Sequence, residues 1–182
     1  MDTASNRAKP ATLVGIALAA IGAGALLGAL TNAVNGVVSP TYFRNILRWH
    51  HVEDIWRAAV AQGIFEGLIY GVIFSTVFTL VVGLVSKARA PFGFALKHLL
   101  FAGGIALLAW CLGGVAAMGL ATLSPDFYRS TFIGVPSEFG EMLRYAWVGG
   151  SIWGVLFGAV LSVVIASVMA AADWRRRNRP TT

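Results

Sequence analysis

Four long apolar stretches, at roughly 11–38, 58–85, 92–123 and 145–172, dominate the chain, with short polar stretches between them. Each exceeds the roughly 20 residues that a helix needs to cross the hydrocarbon of a bilayer. The pattern predicts four transmembrane helices joined by short connections, with no room for a separate soluble domain.

The polar stretches and their apolar neighbours repeat. Ser39-Pro40-Thr41-Tyr42-Phe43-Arg44 returns 85 positions later as Ser124-Pro125-Asp126-Phe127-Tyr128-Arg129. At a shift of 87, Arg57, Gly63, Gly67, Gly71 and Ser75 fall on Arg144, Gly150, Gly154, Gly158 and Ser162. This register points to a tandem duplication of a two-helix unit. The fold expected is all-α, a four-helix transmembrane bundle of two tandem parallel helical hairpins with short interfacial helices in the outer loops. A polar, disordered tail (1–10) precedes repeat 1 (11–86, outer loop 39–57). Repeat 2 (87–172, outer loop 124–144) is followed by a basic tail (173–182).

Local signals support the loops. In both copies Ser can cap a short helix that Pro opens, and Asp126 suits the first turn of the second. Tyr42, Phe43, Ile46, Leu47 and Trp49 recur at near-helical spacing, which predicts an amphipathic helix at the membrane interface. In copy two, Gly134 and Pro136 break the pattern, and Ser137 can cap the next helix, whose positive end suits Glu138 and Glu141. In the second and fourth spans, Gly63, Gly67, Gly71 and Ser75, and Gly150, Gly154, Gly158 and Ser162, place a small residue every four positions. Such ridges let backbones approach closely, and they predict that the second and fourth spans pack in the bundle centre, related by a pseudo-two-fold axis along the membrane normal.

Composition agrees: 57% of residues are hydrophobic and 12% charged, with mean hydropathy +0.73, against about a quarter charged in soluble domains. The net charge of +6 could suggest nucleic acid, but its placement argues against it. Arg175, Arg176, Arg177 and Arg179 follow the last span, Arg7 and Lys9 precede the first, and Lys87, Arg89 and Lys97 surround the middle turn. The positive-inside rule then puts both termini and the middle turn in the cytoplasm and both repeat loops outside. The apolar run after Arg7 and Lys9 is long for a signal peptide and is read as a retained anchor. Lys97 and His98, in the first turns of the third span, can snorkel to the interface.

Candidate chemistry is sparse. Glu66 is the one acidic side chain placed within a span, about 12 Å along the helix from the segment's outer end. Gln62 and Tyr70 lie one turn to either side. A carboxylate at that depth costs a few kcal/mol unless it faces the bundle interior or water. The three residues form a candidate site for a proton, a cation or an amine-bearing ligand; pairing of Glu66 with Arg57 or another outer group explains the carboxylate structurally. The counterpart of Glu66 in the second repeat is Trp153, so its role breaks the symmetry. His50, His51, Glu53 and Asp54 cluster before the second span, but without the spacing of a metal site. Cys111 alone forms no intramolecular disulfide and reads as a small buried hydrophobe. No P-loop, G-x-S-x-G, H-E-x-x-H or C-x-x-C is present, so no catalytic residue, metal or cofactor is expected.

The Ser-Pro-x-aromatic-aromatic stretch at Ser39 to Phe43, set between a first span and a long second one, resembles uncharacterised small multi-pass membrane proteins of bacteria. The resemblance implies an inner (plasma) membrane location and no activity. The function expected is a non-catalytic subunit or scaffold of a membrane assembly, contacting lipid and either its own copies or a partner in a complex, and not nucleic acid. The alternative is a small oligomeric transporter or channel using Glu66.

Overall fold

The structure, a computed structural model, describes residues 9–179. Most of the N-terminal tail, with Arg7, and the last three residues, 180–182, lie outside the described residues. Within them the chain forms six helices: α1 (Pro10–Val38), α2 (Pro40–Ile46), α3 (Ile55–Ser86), α4 (Phe92–Leu123), α5 (Pro125–Thr131) and α6 (Phe139–Arg177). α1, α3, α4 and α6 are long and apolar enough to cross a membrane. α2 and α5 lie together at one end of the bundle, the loop end; the described termini and the α3–α4 turn lie at the other, the terminal end.

The helix boundaries follow from capping. Pro opens α1, α2 and α5, where its missing N–H is no loss. The Ser39 hydroxyl accepts from Tyr42 N at 3.3 Å, and the Asp54 carboxylate accepts from Arg57 N at 3.0 Å to start α3. Ser124, expected to cap in the same way, makes no such side-chain bond. At the start of α6 the cap is Glu138 rather than Ser137, accepting from Gly140 N and Glu141 N. Those two N–H groups hold the Glu138 carboxyl below its ordinary pKa. The tight turn after α3 ends in two left-handed residues, Lys87 (φ 50°) and Ala88 (φ 57°), whose N–H groups close on Gly83 and Leu84 carbonyls.

α1 pairs with α3 and α4 with α6; these are the two most extensive helix contacts, and α3 against α6 is the broadest between the pairs. Both glycine ridges therefore face their own hairpin partner. A Cβ on Gly28 would stand 2.0 Å from Gly63 O, and one on Gly67 2.2 Å from Gly24 O. In the second hairpin a Cβ on Gly113 would stand 2.3 Å from Gly150 O, and one on Gly154 2.2 Å from Ala109 O. The contacts recur at the same shifts of 85 and 87 as the sequence register, since Gly28, Gly63, Gly67 and Gly24 correspond to Gly113, Gly150, Gly154 and Ala109. The ridges end alike too, the Ser75 hydroxyl bonding Val72 O at 2.9 Å and the Ser162 hydroxyl Ala159 O at 2.8 Å. The second and fourth spans do pack on each other, but not through their ridges. The physical reason is that α1 and α4 are themselves rich in Gly and Ala, so the closest backbone approach is available inside each hairpin.

Larger side chains join the hairpins. Ile16, Phe78, Val82, Phe94, Ala102 and Ala166 form a buried cluster toward the terminal end, with Trp174 packed against it. His98, expected to snorkel, is instead 2% exposed. Its Nδ1 bonds Phe94 O at 2.9 Å, and its Nε2 lies 3.3 Å from an Asp173 carboxylate that Lys97 also binds. Cys111, expected to be buried, is exposed on α4.

Candidate functional site

The loop end buries Thr31, Asn32, Asn35, Ser39 and Ser151. α2 folds back over the bundle, so Phe43 is 2% exposed and packs with Ile55, Ala59 and Val148. Its ring stacks on Trp49 at 5.9 Å, while Tyr42 meets Tyr145 at 5.0 Å between ring centres. Phe43 is thus buried against α3 and α6, with Tyr42 half-buried beside it, and the two roof this end of the bundle. The roof is tied to the second loop. Asn45 Nδ2 donates to Gly134 O at 2.6 Å, Gly134 adopting φ 71°, and the Tyr145 hydroxyl donates to Ile133 O at 2.6 Å. In that loop Tyr128 is buried, and its phenol is pushed up to about 12 by burial first and by Tyr42 second.

Beneath this roof lies a crevice of about 180 Å³, lined by Asn32, Tyr42, Phe43, Gln62, Glu66 and Trp153 among others. Glu66 lies eleven residues past the start of α3, about 16 Å along the axis. With about 30 Å of hydrocarbon centred on the helix, that is about 7 Å below the boundary on the loop side. Gln62 Nε2 donates to Glu66 Oε1 at 2.8 Å, a bond between residues one turn apart that orients the carboxylate without neutralising it. Among the described residues no cationic side chain lies within ion-pair distance of Glu66. Arg57, the partner weighed for it, pairs with Asp54 at 3.1 Å instead. The charge of Glu66 is nonetheless felt by the roof, since it adds to burial in raising the Tyr42 phenol pKa.

Of the three candidate residues, the structure brings Glu66 and Gln62 together in the crevice. Tyr70 lies outside its lining and is 38% exposed on α3. Asn32, Tyr42, Phe43 and Trp153 complete the lining. One of them was signposted in the sequence: Trp153 is the repeat counterpart of Glu66. The crevice is lined by both, Glu66 from α3 and Trp153 from α6. Asn32 and the roof carried no such signal, because their placement depends on how α2 folds back.

A second polar element lies nearby. The buried Ser151 hydroxyl on α6 is 3.1 Å from Asn35 Oδ1 on α1 and 3.0 Å from Val148 O, donating to one at a time, while Asn35 Nδ2 is buried without a partner. This is a link between hairpins, since neither residue has a polar counterpart in the other repeat: Asn35 corresponds to Leu120 and Ser151 to Ile64.

No protein family, curated protein or solved structure matches the chain. The functional reading therefore rests on the geometry.

Proposed function

We propose that the chain is a non-catalytic integral membrane protein that works as a subunit or scaffold of a membrane assembly, and that its two hairpins arose by tandem duplication. The observation that carries the reading is how the interior is used. Backbone-to-backbone glycine contacts close each hairpin, and aromatic and aliphatic side chains fill the terminal half between them. A bundle closed in this way, with large apolar side chains on its outside, among them Phe65, Ile73, Leu112, Phe157 and Val164, suits a protein that presents surfaces within the bilayer. The recurrence of the glycine contacts at the sequence shifts supports the duplication.

The glycine ridges no longer argue for assembly, because they are occupied within the chain. Partner contact falls to the outer faces of the four long helices. The inner-membrane location, with termini in the cytoplasm, remains our reading of the charge distribution and of the loop resemblance. The conducting alternative draws on Glu66, but the crevice lies on the loop side and the buried apolar cluster of the terminal half opposes a path between the hairpins of a single chain.

Native mass spectrometry of the tagged protein, extracted gently from its own membranes, tests the reading. A stoichiometric foreign subunit or a defined homo-oligomer is the expected result. A monomer that supports proton or cation flux in liposomes, lost in Glu66→Gln, would replace it with transport.

A further inference from the structure

The Glu66 crevice holds one group that the packing leaves without a counter-charge. Its carboxylate is half-buried and carries a single hydrogen bond, from a neutral amide. A buried charge of this kind is stable only when something supplies the opposite charge or water. Three aromatic residues, Tyr42, Phe43 and Trp153, share the lining with it. Aromatic faces carry negative potential and attract cations, quaternary and primary ammonium groups among them. A divalent metal is poorly served, since one carboxylate is the sole anionic ligand and no group of three His, Cys, Asp or Glu side chains that could hold a metal occurs among the described residues.

Size and position narrow the ligand further. At about 180 Å³ the crevice is smaller than the roughly 300–1,000 Å³ of sites that enclose drug-sized molecules, and it suits a single small head group. Exposed Ile46 and Leu47 of α2 also line it, so an apolar edge adjoins the polar floor on the loop side. We propose that this crevice binds an ammonium group, with Glu66 as counter-ion, Gln62 orienting the carboxylate, and the rings of Tyr42, Phe43 and Trp153 as walls. The ammonium comes either from the head group of an amine-bearing phospholipid or from a free small amine.

The two sources separate in one experiment on the full chain in nanodiscs. In the first arm the discs contain phosphatidylethanolamine and phosphatidylglycerol in equal amounts, and native mass spectrometry counts the lipids that stay bound after ejection. In the second, discs of phosphatidylglycerol alone are titrated calorimetrically with ethanolamine and with choline. Preferential retention of phosphatidylethanolamine assigns the lipid source; saturable binding of the free amines assigns the other. In either arm Glu66→Gln, which keeps the side-chain shape, lowers binding by about tenfold or more, the scale of a lost charged contact. Trp153→Leu lowers it about threefold, the scale of a cation–π contact, and Trp153→Phe restores it. Circular dichroism melts establish that each variant is folded. The proposal is overturned if phosphatidylglycerol is the lipid retained, if neither arm shows binding, or if Glu66→Gln binds as the parent does. It is equally overturned if Glu66→Gln leaves lipid and amine binding unchanged but releases a co-purifying protein, which would assign the carboxylate to a partner's basic side chain.

Discussion

The two hairpins are built alike and equipped differently. α1–α3 and α4–α6 meet through the same backbone contacts, Gly28 on Gly63 and Gly67 in one and Gly113 on Gly150 and Gly154 in the other. Around this shared frame the side chains diverge. The first hairpin carries Glu66, Gln62, Asn32 and Asn35, where the second has Trp153, Gly149, Ala117 and Leu120. Backbone contact is conserved between the halves because any side chain larger than hydrogen would force the helices apart. Polar groups within a membrane are expensive and remain only where something offsets them. The backbone contacts that hold the fold therefore occur twice, and the polar crevice occurs once.

Perturbing the shared frame should have the largest effect, and an equal one in each half. Gly28→Leu and Gly113→Leu are each expected to lower stability by about 3 kcal/mol or more, since the new side chain meets backbone that cannot move aside locally. Thermal unfolding in detergent, followed by circular dichroism, measures this; a large loss in only one hairpin would break the equivalence. Changes to the unshared chemistry should behave in the opposite way. Glu66→Leu removes an uncompensated carboxylate and is expected to raise the melting temperature, with a gain of about 1–2 kcal/mol. A fall instead would mean that Glu66 holds the fold.

The buried aromatic of the roof sharpens the comparison through pH. Tyr128 stands where the first repeat has Phe43, and both are buried. With its folded pKa raised to about 12, above the ordinary value near 10, Tyr128 contributes stability that is intact below pH 10. That contribution is lost as the pH rises toward 12, at up to about 1.4 kcal/mol per pH unit. Tyr128→Phe should flatten this alkaline limb in stability measured from pH 9 to 12, and Phe43→Tyr should introduce one.

Smaller effects are expected at the link between hairpins and at the turn. Ser151→Ala removes the hydrogen bond to Asn35 Oδ1 and should cost about 0.6–1.7 kcal/mol, read from the same melts. Ala88→Gly relieves a left-handed residue in the α3–α4 turn and should stabilise by about 0.5–1 kcal/mol.

Much of the frame was legible in the sequence. Spans 11–38 and 92–123 coincide with α1 and α4 to within a residue, because hydropathy and the flanking Pro and Ser mark their ends. α3 and α6 begin earlier than the apolar pattern, at Ile55 and Phe139. There the capping acids Asp54 and Glu138 start a helix before the hydrophobic run does. The glycine ridges were visible, but their partners were not, since a face of small residues does not say which neighbour it meets. The candidate site was legible only as Glu66 and Gln62, neighbours on one helix. Asn32, Tyr42 and Phe43 join them through the fold of α2 over the bundle, and the pairing of His98 with Asp173 depends on the contact of α4 with α6, which spacing along the chain does not reveal.

The most direct test of the account is where the ridges make their contacts. Gly67→Leu and Gly154→Leu, alone and together, should be melted in detergent across a hundredfold range of protein concentration, with the oligomeric state measured alongside. The account predicts that each variant loses stability to a similar degree, that the loss does not depend on concentration, and that the surviving folded protein associates as the parent does. Unchanged melting with impaired association would place the ridges between molecules and contradict it.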